Sequence, residues 1–401
     1  MKILQLTPRT MIPADDGGRI SMWNLTKHLV SRGADVTVVS LDEHERGDRI
    51  RTYDGATFRH IHLGHSTRNT ALAIAGSVFA SQPLYLRKHL SPAVTSSVLE
   101  LCRVEHFDIV HADHTAMAPL ALGVKREYSL PVGLRLHNVE WMIWHRYAES
   151  LSVLDPRRAY LRSQAERLRR AEAACIDGCD VSWTMSRVDE QRARELSSHA
   201  RIMTSAAGVN TEEWAPPDTV HRRPFDLVLA ASWSWIHNVR GLRWFVSRVL
   251  PLVRKQVPQV RLVLPGKGLP EEFRDGRYEG VVATGYVDDM KPSYHQSSVF
   301  VCPLFVGSGV RIKIMEAMAA GLPVVATEVG AEGVEATEAD GLFVSDDPVM
   351  QARHIVALIT DPAACATASA RARAYVRSRH EWSVEIGKMF DEYRLLTSAR
   401  R

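Results

Sequence analysis

The chain has 401 residues, a length that favours two domains over one, and its 45% hydrophobic and 24% charged residues exclude collagen-like, coiled-coil and disordered chains. Its 50 basic and 46 acidic residues leave +4, with 27 basic against 23 acidic in residues 1–205 and 23 against 23 in the remainder. That excess is too mild for a nucleic-acid binder and suits a weakly anionic partner, phosphate-bearing or at a membrane surface.

The opening MKILQLTP has a short apolar run that stops at Pro8, as a buried parallel strand would. A loop, PADDGGRI, follows, and then Trp23, Leu25, Leu29 and Val30 mark one face of a helix closed by Gly33, with a strand over 36–39. This spacing predicts a βαβ unit with a Gly-Gly turn at its first strand–helix junction. Strands over 108–110 and 132–136 carry His111, Asp113, His114, His137 and Asn138 at their C-terminal ends, where open α/β sheets bind ligands. Residues 150–175 read as a helix with six arginines (157, 158, 162, 167, 169 and 170) around an apolar stripe. A strand over 181–186 and a helix through Glu195 precede a Gly/Pro-rich connection, at which the domain boundary is placed.

The second half restarts the same grammar. Strands are expected over 225–232, 260–265, 281–287, 299–305 and 323–327, with helices at 241–256 and after the glycine loop at 307–309. Alternation of strand and helix predicts two parallel, doubly wound sheets in an α/β protein.

The stretch GSGVRIKIMEAMAAGLPVVAT (307–327) carries the strongest chemistry. Glycines at a helix start free backbone N–H groups where the helix dipole favours an anion, and Arg311 and Lys313 add charge there. Glu316, three residues past Lys313 on the same face, can accept two hydroxyl hydrogen bonds such as a ribose offers. The alternative is a solvated first turn in which Glu316 pairs with Lys313 or Arg311.

This stretch, together with AASWSWIHNVRGLRWFVSRVLP (230–251), VLPGKGLPEEF (263–273), TGYVDDM (284–290) and GVNTEEW (208–214), resembles the donor domain of the retaining family-4 glycosyltransferases. MKILQLTPRTMIPADDGGRI and RLHNVEW (135–141) fit too, and resemble the branch assigned to exopolysaccharide assembly. The resemblance implies the GT-B fold, two Rossmann-like domains facing a cleft: residues 1–205 for the acceptor, with the tail 382–401 packing back on them, and 206–381 for the donor. It implies transfer from a nucleotide sugar, UDP- or GDP-linked, to a saccharide or lipid-linked acceptor, with no cofactor and no metal. In the family's Glu-x7-Glu signature Glu316 takes the ribose-binding position, and Ser308 stands where many members have the first glutamate. The family's basic pair falls on SWSWIHN, where Asn238 is the nearest counterpart of the lysine, so the diphosphate charge is expected to be met by Arg311 and Lys313. Gly309 belongs to the phosphate seat, Gly17 and Gly18 to a loop approaching the donor phosphates, His137 to the site of the transferred sugar, and the backbone near Tyr286 and Val287 to the base. Two alternatives remain open: an epimerase acting on the nucleotide sugar itself, and a non-catalytic nucleotide-sugar-binding partner of an assembly complex.

The remaining features are expected to be structural. His111 and His114 lack a third ligand at metal spacing, and Asp288–Asp289 is an adjacent pair in a surface loop. His60, His62 and His65 are expected to be exposed; Cys175 and Cys179 read as packed thiols. Five cysteines without a CxxC pair, and no secretory signal, lead to the expectation of a cytoplasmic protein. The uncharged run 69–86 is too polar to span a bilayer. With Arg87, Lys88 and the arginine helix, it forms a candidate peripheral contact with an anionic membrane.

Overall fold

The computed structural model describes residues 1–398 except Asp15, Asp54, Asn69, Ser308 and Gly309. The chain divides into two compact units: Met1–Ala207 joined by the segment that begins at Trp382, and Gly208–Glu381.

The first unit opens with β1 (Lys2–Thr7), α1 (Gly17–Ser31), β2 (Asp35–Asp42), β3 (Gly47–Tyr53) and β4 (Ala56–Gly64). Three helices follow, α2 (Ala71–Val78), α3 (Leu84–Arg87) and α4 (Pro92–Val104). Then come β5 (Ile109–Asp113), α5 (Ala118–Tyr128), β6 (Val132–Leu136), the pair α6 (Glu140–Glu149) and α7 (Pro156–Gly178), β7 (Val181–Thr184), α8 (Arg187–Leu196) and β8 (Ile202–Thr204). The sheet order is β3-β4-β2-β1-β5-β6-β7-β8. Strands β1, β5 and β6 are almost wholly buried, as expected where helices cover both faces.

The expectation of a purely parallel sheet fails at one edge. β3 pairs antiparallel with β4, because the two residues between them are too few for a crossover and suffice only for a hairpin. The Gly-Gly turn is also corrected: Gly17 and Gly18 are the first residues of α1, whose N-cap Asp16 accepts from Arg19 N. His60 and His62 are buried rather than exposed. β4 lies inside the edge strand and under α1, and His60 Nε2 hydrogen-bonds Ser40 Oγ at 2.7 Å. Cys175 and Cys179 are buried thiols, and burial pushes Cys175 up to about 12.

The second unit contains β9 (Asp226–Val228), α9 (Ile236–Trp244), α10 (Leu250–Gln256), β10 (Arg261–Pro265), β11 (Val281–Gly285), α11 (Lys291–Gln296), β12 (Val299–Cys302) and α12 (Ile312–Ala319). β13 (Val324–Ala326), β14 (Leu342–Val344), α13 (Pro348–Thr360) and α14 (Pro362–Arg379) complete it. The strands are all parallel, in the order β11-β10-β9-β12-β13-β14. The helix expected from 241 starts earlier, at Ile236, and widens into a π-turn at Phe245–Val249. Pro251, which lacks an N–H, sits just beyond that turn. Leu227, Phe245, Leu262, Val299 and Ile355 meet in its core.

The last helix, α15 (Trp382–Ser398), belongs to the first unit. Its Tyr393 Oη lies 2.6 Å from His111 Nδ1, and a Cβ on Gly133 of β6 would overlap that hydroxyl. Trp382 lies under the Arg135 guanidinium, 5.6 Å from ring centroid to Cζ.

Candidate functional site

Among its parallel strands each sheet reverses its strand order, between β1 and β5 in the first unit and between β9 and β12 in the second. Outside the carboxyl ends of the two strands at such a reversal the helices diverge and leave a crevice for ligands.

In the second unit the loops flanking the reversal are those after β9 and β12. α12 follows β12, and its regular turns begin at Ile312, not near residue 309. Arg311 is an extended N-cap (φ −88°, ψ 92°), and Gly307, at φ 142°, keeps the chain out of the helix just before it. Arg311 folds back over Gly307, where a Cβ would overlap its guanidinium. Ser308 and Gly309 lie outside the described residues.

Lys313, the second residue of α12, points its Nζ across the reversal to the Ala230 carbonyl at 3.4 Å. Burial holds its pKa below the usual lysine value. Glu316 sits one turn on, half-buried, and among the described residues no basic group lies within ion-pair distance of its carboxylate. The expected alternative of a Glu316–Lys313 pair in a solvated turn is therefore not what forms. Burial first, then the nearby Glu213 carboxylate, push Glu316 up to about 7, against the pull of Lys313.

Asn238 in α9 donates Nδ2–H to the Ser232 carbonyl at 2.8 Å, so it stiffens the loop after β9. Tyr286 and Val287 follow the edge strand β11, two strands away from β9; Tyr286 is exposed and Val287 half-buried. The structure thus brings Lys313, Glu316 and the Asn238 loop to one reversal and sets the Tyr286–Val287 pair to the side.

In the first unit the loop after β1 carries Arg9, which grips Asp16 through two hydrogen bonds of 2.8 and 2.6 Å. Gly18 packs under this pair: a Cβ there would come within 2.8 Å of Arg9 Nη2. His137, just past β6, is buried and donates Nε2–H to Asp113 Oδ1 at 2.6 Å. Asp113 ends β5, accepts from Gln5 Nε2 at 3.0 Å, and has Arg135 Nη1 at 3.8 Å. Burial opposes ionisation of Asp113, yet His137, His111 and Arg135 together hold its carboxyl well below its usual value. Burial in turn lowers His137, so the pair is a neutral imidazole donating to an ionised carboxylate.

Sequence reasoning missed a second layer here. Tyr85 Oη lies 2.7 Å from His114 Nδ1, and Glu140 Oε1 lies 3.5 Å from His114 Nε2. Glu172, fully buried in α7, accepts from Glu140 N and Trp141 N at 3.1 and 3.2 Å and so caps α6. Burial pushes Glu140 up to about 7 and Glu172 up to about 8. The strand-end signal pointed at His114, but Tyr85, Glu140 and Glu172 stand on separate helices with no local mark. Among the described residues no three His, Cys, Asp or Glu side chains gather as a metal site.

The arginine helix is largely paired. Arg158 and Arg162 bind Glu149, Arg157 binds Asp155, and Arg169 and Arg170 bind Glu166. Arg167 is committed to the carbonyls of Ser77, Val78 and Ala80. It thereby anchors α2, whose Leu72 and the adjoining Phe79 stay 86% and 96% exposed. No described helix is long and apolar enough to cross a membrane.

Residues 16–213 match the family described as Glycosyltransferase Family 4, and residues 225–361 the one described as Glycosyl transferases group 1. The chain is 29% identical over 129 residues to an uncharacterized 44.6 kDa protein in the cps region of Klebsiella pneumoniae, covering 30% of this chain and 33% of that protein. It is 29% identical over 157 residues to a phosphatidyl-myo-inositol mannosyltransferase of Mycobacterium leprae, covering 37% and 42%. The matched stretches span well under half of either relative. Among solved structures, sucrose-phosphate synthase of Thermosynechococcus elongatus superposes over 100% of both chains with TM-score 0.77 at 18% identity. HepE of Anabaena in complex with UDP-glucose superposes over 98% of both, with TM-score 0.64 at 15% identity. At these identities the structural likeness speaks for the fold.

Proposed function

The chain belongs to the family-4 glycosyltransferases and has their GT-B fold, and from that premise we propose that it transfers a sugar from a nucleoside-diphosphate sugar to a hydroxyl of a saccharide or lipid-linked acceptor. In this reading the second unit holds the donor, the first unit holds the acceptor, the anomeric configuration is retained and no divalent metal is needed.

The observation that carries the reading is the placement of Lys313 and Glu316 one turn apart on α12. A half-buried ammonium reaches over the strand-order reversal, while a carboxylate one turn on has no cationic partner among the described residues and is left to accept ligand hydroxyls. Glu316 binds the ribose, and Lys313 and Arg311 meet the diphosphate; Ser308 and Gly309, also expected there, lie outside the described residues. Asn238 holds the loop beside them, and the base lies toward Tyr286 and Val287. The chief barrier to transfer is charge developing on the leaving diphosphate, which preorganised N–H groups and cations stabilise. In the first unit, Gly17 and Gly18 start α1 and Asp113 holds His137 in one tautomer; in this reading these residues serve the transfer step.

A UDP-sugar donor is supported by HepE, which binds UDP-glucose in the same fold, and a role in exopolysaccharide assembly by the relative in a cps region. The setting we propose is the cytoplasmic face of a membrane. Because the arginines of α7 are paired, that contact rests on the apolar side chains of Leu72 and Phe79 more than on charge. A panel of UDP-, GDP- and dTDP-sugars should raise Tm for the true donor, and an acceptor should then accelerate nucleoside diphosphate release. Rearranged sugar nucleotide without an acceptor would identify an epimerase instead, and binding without turnover a non-catalytic partner.

A further inference from the structure

The group around His114 has no part in the roles above. His114 follows β5 with φ 115° and ψ 143°, a conformation that glycine adopts freely and that strains any residue with a Cβ. The surrounding chain enforces it. His114 N donates to the Arg135 carbonyl at 3.0 Å, and the His114 carbonyl accepts from Met117 N at 2.9 Å. The backbone thus aims the ring, and the buried Tyr85 holds it through Nδ1 at 2.7 Å.

Tyr85 also hydrogen-bonds Glu140; we assign the short 2.7 Å contact with its hydroxyl donating to Nδ1, which puts the neutral ring's proton on Nε2. That N–H faces Glu140 Oε1 at 3.5 Å, too long for a direct hydrogen bond of ordinary strength. A fifth of the His114 side chain remains open to solvent. Glu140 is buried and its Oε1 also accepts from Asn138 Nδ2 at 3.1 Å, so a donor and an acceptor with one lone pair left stand side by side, poorly matched to each other and opening to solvent on the His114 side. The His137 ring is 5.1 Å away on the same strand-end face.

We propose that His114 Nε2–H and Glu140 Oε1 together bind a hydroxyl of the acceptor, with Tyr85 as the residue that positions the ring. The hydroxyl oxygen accepts from Nε2 and its proton points to the carboxylate, so the ligand completes a bond that the two side chains cannot make directly. The strained backbone keeps the ring in that pose before the ligand arrives. Burial, then the neighbouring His137, hold the His114 pKa well below its usual value, so the ring carries a single proton. This inference rests on the glycosyl-transfer reading of the same unit.

The test uses the full chain with UDP-glucose and GDP-mannose as donors. Methyl glycosides of glucose, mannose and galactose, and a polyprenyl-diphospho-glucose, serve as acceptors, with nucleoside diphosphate release as readout. For His114→Gly and Tyr85→Phe, KM for the acceptor should rise about tenfold, while donor KM and release to water stay within about twofold. Tm of each variant is read alongside, so that a loss of fold is separated from a loss of acceptor binding. Unchanged acceptor KM in both variants, or an equal loss in transfer and in release to water, overturns this inference alone. A wild-type chain that shows no acceptor-dependent release with any probe overturns the glycosyl-transfer reading, and this one with it.

Discussion

Lys313 Nζ, on the helix after β12, lies 3.4 Å from the Ala230 carbonyl, on the loop after β9. One side chain therefore spans the two loops that flank the strand-order reversal of the second sheet. A hydrogen bond of that length is weak, so under the proposed function a diphosphate would displace it at little cost.

Glu316 and Lys313 should separate binding from chemistry. Glu316→Ala removes an acceptor of two hydroxyl hydrogen bonds, each to a charged group contributing about 1.5–3 kcal/mol, and should weaken donor binding at least tenfold in calorimetric titration. Lys313→Ala should instead lower kcat about a hundredfold, with a smaller change in donor affinity. Wild-type kinetics in both variants would remove α12 from the site.

Asp113→Asn should slow transfer and also destabilise the first unit. The substitution removes the charge that Arg135 and His137 face in a fully buried setting, and an uncompensated buried cation costs about 3–5 kcal/mol. His137→Ala, by contrast, should retain donor binding and lose transfer rate. Urea unfolding and single-turnover rates distinguish the two, and a fully active His137→Ala chain would exclude that imidazole from catalysis.

Glu172 should give the first unit a pH-dependent stability. Its pKa rises from an ordinary 4.5 to about 8 on folding, so between those values the folded unit keeps a proton that the unfolded chain has lost. The stability associated with it is complete below pH 4.5 and falls as pH rises toward 8, by at most about 1.4 kcal/mol per pH unit. Glu140 acts in the same sense up to about 7. Glu172→Gln should flatten the decline in Tm between pH 5 and 8 in scanning calorimetry; parallel curves for variant and wild type would refute the assignment.

Gly133→Val should release the last helix. Any side chain at Gly133 overlaps the Tyr393 hydroxyl, and the resulting shift also breaks the Tyr393–His111 hydrogen bond. Limited proteolysis should then cut near Trp382 in the variant while the wild-type chain resists. Equal resistance would show that the helix is held elsewhere.

Part of this architecture was legible in the sequence. The buried run of β1, the closure of α1 at Gly33, the strands before His111 and His137, and a helix carrying Lys313 and Glu316 all stand where local patterns put them. Other details escaped local reading. Gly17 and Gly18 look like a turn but start a helix, because the decisive contact is Asp16 on Arg19 N. His60 and His62 alternate like solvent-facing residues, yet a whole strand and a helix cover them. The arginines of α7 look like a free cationic face, but carboxylates and the carbonyls of α2 meet them.

The amino-acid order alone determined the succession of strands and helices, the family signature and the chemistry available at α12, since each depends on residues within a turn or two of one another. Only the tertiary structure decided which loops meet at a reversal, and that Tyr85, Asp113, His114, Glu140 and Glu172 share one corner of the first unit. The physical reason is that periodicity encodes which side of an element is buried, whereas proximity between distant segments follows from strand order. Strand order is settled by how the crossovers pack, a property of the whole core.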